Sequence, residues 1–173
     1  MKYIFIILIL ISTTIFFSSC EKGESIAEDK SDKQFANNFS LQSLDGAQNV
    51  ELSEFKGKPV VINFWSSWCG PCRKEMPFLE NTWKEFKEKD VILIGINVMD
   101  DEGLARNFIK AFDITYLNLY DPSGKVSSKY GVVALPATFF IDREGKITKK
   151  NYGPFLGVEG EKNFIKYLKE ISK

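Results

Sequence analysis

Apolar residues recur along this chain with two periods, and the switches between them mark its elements. Apolar and polar positions alternate from Phe39 to Gln42 and again from Val50 to Leu52, on either side of Asp45-Gly46. That predicts an N-terminal β-hairpin. Pro59 to Trp65 (PVVINFW) is almost wholly apolar and β-rich, as a strand buried on both faces should be. From Cys72 the period lengthens. Cys72, Met76, Leu79, Trp83 and Phe86 follow at helical steps, which predicts an amphipathic helix kinked at Pro77. Val91 to Val98 is a second buried strand, and Leu104, Phe108, Ala111 and Phe112 mark a second helix. Asp121-Pro122 opens a short third helix with Val126 and Tyr130 on one side. Ala137 to Ile141 and Lys146 to Lys150 predict a hairpin across Asp142-Arg143-Glu144-Gly145. Phe164, Ile165, Leu168 and Ile171 share one face of a terminal helix. The order hairpin, β, α, β, α, α, ββ, α implies an α/β layered fold around a mixed sheet.

The first residues stand outside this pattern. Met1-Lys2-Tyr3 is a short cationic start, Ile4 to Phe17 is apolar except at Ser12, Thr13 and Thr14, and Ser18-Ser19-Cys20 then gives way to polar chain. Residues 1–19 read as an export signal, shorter than the ~20 apolar residues that span a bilayer comfortably. The small residues before Cys20 resemble the lipobox of bacterial lipoproteins. That resemblance implies a lipidated Cys20 as mature N-terminus; an uncleaved anchor is the alternative. Either reading puts the protein outside the cytoplasmic membrane and tethers it there. Residues 20–35 are charged and aperiodic, as in a flexible tether, and residues 36–173 are expected to form one domain.

Composition narrows the chemistry. At 173 residues and 44% hydrophobic, the chain can bury the core of one ordinary domain. Lys plus Arg and Asp plus Glu each number 23, so the basic excess of a nucleic-acid binder is missing. There is no histidine, which removes His-ligated metal sites and Ser-His or Cys-His catalytic pairs.

Positions 62–77 read INFWSSWCGPCRKEMP. The pair Cys69 and Cys72 could exchange electrons with other thiols, clip a metal, or close an inert disulfide. A structural bridge over so short a loop adds little stability, and two thiolates without histidine leave a zinc site half built. Placed where a buried strand meets a helix, Cys69 faces the unpaired N–H groups and positive end of the helix. Such sites lower a thiol pKa from about 8.5 into the range of about 3.5–7.5. Cys72, a turn on, can resolve a mixed disulfide. Pro71 suits the first helical turn. Trp65 and Trp68 are expected to form an apolar rim.

WCGPC resembles the active site of thioredoxins, and Pro77 matches the helix proline of that family. Leu135-Pro136-Ala137-Thr138 resembles its cis-proline segment, which implies that Pro136 lies beside the cysteines. The resemblance is closer still to the membrane-tethered ResA/TlpA subgroup. It covers roughly residues 36–170, including NFWSSWCGPCRKEMP, YGVVALPATFFID and the REGKI turn. It implies a thioredoxin-like three-layer fold with an N-terminal hairpin, and a thiol–disulfide oxidoreductase that uses Cys69 and Cys72 with no bound cofactor. Asn63 stands where thioredoxins usually carry a buried aspartate. An amide cannot take a proton, so Asn63 is expected to satisfy hydrogen bonds beneath the site. Glu75 matches a glutamate that sits beside the cysteines in ResA-like proteins. There it could shuttle a proton, or it could be a solvated residue of an early helical turn. Trp68, Gly70, Pro71, Leu135 and Pro136 are expected to contact substrate. The resemblance also implies protein disulfide or dithiol substrates, a membrane thiol-electron transporter as donor, apocytochrome c as one substrate, and a monomer. Reduction is the expected direction. An oxidase or isomerase, a peroxiredoxin-like peroxidase and a copper carrier stand as alternatives.

Overall fold

The computed structural model describes residues 34–173. The expected signal over residues 1–19, Cys20 and most of the expected tether lie outside the described residues. β1 (Ser40–Gln42) and β2 (Asn49–Glu51) pair antiparallel, with Leu41 opposite Val50. Asp45 makes the turn between them, its Oδ1 accepting from the Ser43 hydroxyl and the Ala47 N–H, while Gly46 takes φ +76°.

The main sheet has five strands in the order β5-β4-β3-β6-β7. They are β3 (Val60–Trp65), β4 (Ile92–Val98), β5 (Leu117–Asp121), β6 (Ala137–Ile141) and β7 (Ile147–Tyr152). β3, β4 and β5 run parallel, and β6 and β7 run antiparallel to their neighbours. β3 lies at the centre with every residue buried, which is why its sequence is apolar without alternation. Among the described residues α1 (Gly70–Phe86), α2 (Glu102–Ala111) and α3 (Lys125–Lys129) connect strands, and α4 (Gly157–Ile171) follows the last of them.

Two cores sandwich the sheet. Met76, Leu79, Ala105, Phe108, Phe164 and Leu168, from α1, α2 and α4, pack with Val61, Trp65, Leu93 and Phe140. On the opposite face Phe39, Val50, Val126 and Tyr130, from the hairpin and α3, pack with Ile62, Phe64, Ile94 and Phe139. Neighbouring positions of one strand therefore serve different cores, as the two-residue period requires. This is the three-layer α/β architecture with an added N-terminal hairpin.

The sequence pattern does not predict β5. Its run LNLYD is short, is broken by Asn118 and Asp121, and takes its partners from distant segments. β4 lies on one side; on the other, Ser43 bridges to Leu119 and the Leu44 N–H donates to Asn118 O at 2.7 Å. The fold also begins before Ala36: Phe35 bridges to Lys146, and the Ile147 N–H donates to Gln34 O at 2.9 Å.

Candidate active site

β3 ends at Trp65 and α1 begins at Gly70, so Ser66, Ser67, Trp68 and Cys69 cross the carboxyl edge of the sheet. Cys69 is the N-cap of α1, and its Sγ accepts from the Cys72 N–H at 3.2 Å. A sulfur there receives a helix N–H and lies in the positive end of the helix field. Pro71 costs the first turn nothing, because its missing N–H would be unpaired anyway. Cys69 and Cys72 form a disulfide with Cα atoms 5.3 Å apart. Cys69 is 5% exposed and Cys72 is fully buried, so an outside thiol or disulfide meets Cys69 first.

Trp68, Gly70 and Pro71, all exposed, flank Cys69 along the chain. The Leu135–Pro136 bond is cis. Ala137 pairs with Phe64 in register, which brings Pro136 to the level of Trp65 on the same sheet edge as the cysteines. Pro136 O accepts from the Gly153 N–H at 2.8 Å, and Leu135 packs on the core cluster that contains Cys69 and Cys72. Trp65 is not part of the rim. It faces the helical layer, fully buried, with its ring centroid 5.3 Å from that of Phe108 and its Nε1–H donating to Asn118 Oδ1 at 2.9 Å. The alternation along β3 turns it inward, and α2 covers it. Pro77 lies inside α1, so the carbonyl one turn earlier lacks its helical donor.

Glu75 follows Cys72 by three residues on α1 and is fully buried, not solvated. Asn63 Nδ2 donates to its Oε1 at 2.9 Å, and the Phe155 N–H donates to its Oε2 at 2.8 Å. Burial pushes the Glu75 carboxyl up from its ordinary 4.5 to about 7, against the pull of these two hydrogen bonds. Asn63, on β3, also donates to Thr138 Oγ1 at 3.1 Å, while its own Oδ1 has no hydrogen-bond partner among the described residues. A carboxyl that titrates near neutrality thus lies on the same helix face as the inner sulfur.

The sequence reading missed three participants. Thr138 and Phe155 come from distant elements and touch the site through one atom each. Asp100 binds Ser67, just upstream of Cys69. Its one sequence signal was the acidic run Asp100-Asp101-Glu102, one residue after a buried strand, at the sheet edge where α/β proteins place their sites. Among the described residues, no group of three or more His, Cys, Asp or Glu side chains is placed to hold a metal ion, and no helix is long and apolar enough to cross a membrane.

A helix-capping disulfide at the end of a central strand, set against a cis-proline in this sheet, defines a thiol–disulfide oxidoreductase of the thioredoxin-like class. The chain belongs to the Redoxin family, whose model matches residues 30–165. It is 34% identical over 167 residues to the thiol-disulfide oxidoreductase ResA of Bacillus cereus, covering 96% of this chain and 94% of that one. To ResA of Bacillus subtilis it is 37% identical over 147 residues, covering 83% and 79%. Among solved structures it is similar to the thioredoxin domain of a thiol-disulfide oxidoreductase from Bacteroides vulgatus. The TM-score is 0.69 at 27% identity, over 80% of this chain and 96% of that one.

Proposed function

We propose that this oxidoreductase works as a reductant of protein disulfides outside the cytoplasmic membrane, tethered there through its N-terminus. The Cys69 thiolate attacks a substrate disulfide, one S–S bond breaks, and a substrate thiolate leaves and takes a proton. Cys72 gives its proton to Glu75 and attacks the Cys69 sulfur. The second substrate thiolate leaves, and the enzyme holds the disulfide. Glu75 passes the Cys72 proton to the second thiolate. The first has taken one from water, replacing the proton that Cys69 had released. In sum, two electrons and two protons have passed from the dithiol to the substrate. A membrane thiol-electron transporter then restores the dithiol, and apocytochrome c is a fitting substrate class. Asn63 holds the Glu75 carboxyl in place. Trp68, Gly70, Pro71, Leu135 and Pro136 receive the substrate chain. No bound cofactor is needed, and one chain suffices.

The observation that carries this reading is the burial of Glu75 on the face of α1 that bears Cys72, with its carboxyl pushed up to about 7. A base of that strength can accept the resolving thiol's proton at neutral pH. The reduction potential of the pair, equilibrated against glutathione, tests the direction. A value near about −270 mV or lower supports a reductant, and a value near about −120 mV would make the protein a disulfide donor. Tethering is tested by mass spectrometry of the mature N-terminus. A lipidated Cys20 is expected, and an intact, unmodified Met1 would end the lipoprotein reading.

A further inference from the structure

Ser67 stands two residues before Cys69, and one carboxylate takes both of its donors. Its backbone N–H donates to Asp100 Oδ2 at 2.5 Å and its hydroxyl to Asp100 Oδ1 at 2.9 Å. Asn97 Nδ2 and the Asp101 N–H donate to the same carboxylate, each at 2.9 Å. Four donors converge on a group that only accepts. The surrounding backbone is tied as well. Ser66 Oγ donates to Val98 O at 2.6 Å, and Tyr120 Oη donates to Asp100 O at 2.9 Å. The loop after β4 and the loop before Cys69 are thereby fixed to each other.

The charges around Asp100 are committed elsewhere. Asp101 caps α2 through the Leu104 N–H, and Glu102 pairs with Arg106. Glu75 is held by Asn63 and Phe155. The Arg73 guanidinium lies over the Phe108 ring. Among the described residues no cation forms an ion pair with Asp100. A negative charge with hydrogen-bond donors but no ion-pair partner is therefore held against the loop that carries the nucleophile.

A thiol couple becomes more oxidising when its thiolate, and with it its reduced form, is stabilised. The N-terminus of α1 acts in that direction on Cys69. A fixed carboxylate acts in the opposite direction, and it also occupies the Ser67 N–H that could otherwise turn toward the thiolate. We infer that Asp100 is a positioning residue whose charge, locked at Ser67, disfavours the Cys69 thiolate and biases the Cys69–Cys72 couple toward the disulfide, making the protein a stronger reductant. The inference rests on the dithiol-exchange reading above. Two residues of chain span at most ~7 Å and the carboxylate sits one hydrogen bond beyond Ser67, so the charge acts over roughly 10 Å. At an effective dielectric constant of about 25 to 50, between the surface and bulk-water limits, that changes the exchange equilibrium by about threefold to tenfold. Tenfold corresponds to about 30 mV for a two-electron couple.

The experiment equilibrates the full-length chain, Asp100→Asn and Asp100→Glu with glutathione, and follows Cys69 alkylation against pH. Each reading is taken at low and high salt. Asp100→Asn is expected to move the equilibrium toward the dithiol by about threefold to tenfold and to lower the alkylation midpoint. Asp100→Glu, which keeps the charge, stays near the wild type. High salt moves the wild type in the direction of Asp100→Asn, because it screens the same charge. An unchanged equilibrium and midpoint in Asp100→Asn would overturn the inference, as would Asp100→Glu shifting as far as Asp100→Asn. If the asparagine variant does not fold, a wild-type equilibrium that ignores salt overturns it alone. Failure of the parent reading looks different: the wild type would then not exchange with glutathione at all.

Discussion

Replacing Glu75 with glutamine tests the site at its centre. The carboxyl titrates at about 7 in the folded protein and at an ordinary 4.5 when solvated. Between those values the native state holds a proton that the unfolded chain has lost, so stability falls as pH rises. The contribution is fully present below about 4.5 and gone above about 7. A difference of roughly two to three pKa units corresponds to about 3 kcal/mol. That is a readable share of the roughly 5–15 kcal/mol that holds a domain folded. Glu75→Gln removes the titration and leaves the shape. Urea unfolding of the oxidised protein at several pH values should show the wild type losing about 3 kcal/mol more than the variant across this window. Parallel curves for the two proteins would refute the buried titrating carboxyl. In the same variant, resolution of a mixed disulfide at neutral pH should slow by about a hundredfold, while attack by Cys69 is spared.

Cys72→Ser should accumulate a mixed disulfide between Cys69 and substrate, visible as an adduct by mass spectrometry; release of substrate at the wild-type rate would show that Cys72 does not resolve it. Trp68 is 64% exposed, so Trp68→Ala should leave stability within about 0.5 kcal/mol yet slow exchange with protein disulfides more than with dithiothreitol; equal slowing of both would remove Trp68 from substrate contact. A Cβ at Gly95 would overlap Asn118 Oδ1, the acceptor of the Trp65 indole, so Gly95→Ala should cost at least about 1–3 kcal/mol by urea unfolding; an unchanged midpoint would contradict that packing.

The legible parts of this protein are those in which a local pattern and a physical need coincide. β3 reads as a strand because both its faces are buried, and Cys69 reads as a capping nucleophile because Gly-Pro opens a helix just after it. Pro136 was legible through resemblance, since no pattern in Leu135-Pro136 distinguishes cis from trans. What escaped depends on partners far along the chain. β5 needs β4 beside it to become a strand, and Trp65, turned inward by the alternation of β3, is buried because α2 arrives to cover it. The position of Glu75 fits a wet or a buried helix face equally well; Asn63, Thr138 and Phe155 decide the matter from three other segments. Asp100 acts across the gap between two parallel strands, a relation that no window of sequence contains.

Asn63 gives the buried carboxyl a partner for both of its forms. An ionised Glu75 needs donors, and the Asn63 amide nitrogen supplies one. A neutral Glu75 carries an O–H that needs an acceptor, and the Asn63 oxygen is buried and unused. The two ends of an amide have nearly the same shape, so the pocket has room for either end of Asn63 beside the carboxyl. Thr138 follows either state, because a hydroxyl both gives and accepts. An aspartate at position 63 would add a second proton to the pocket and a second negative charge when ionised. The asparagine instead sets one amide donor on the carboxyl and keeps a neutral oxygen beside it, with no second charge in the pocket.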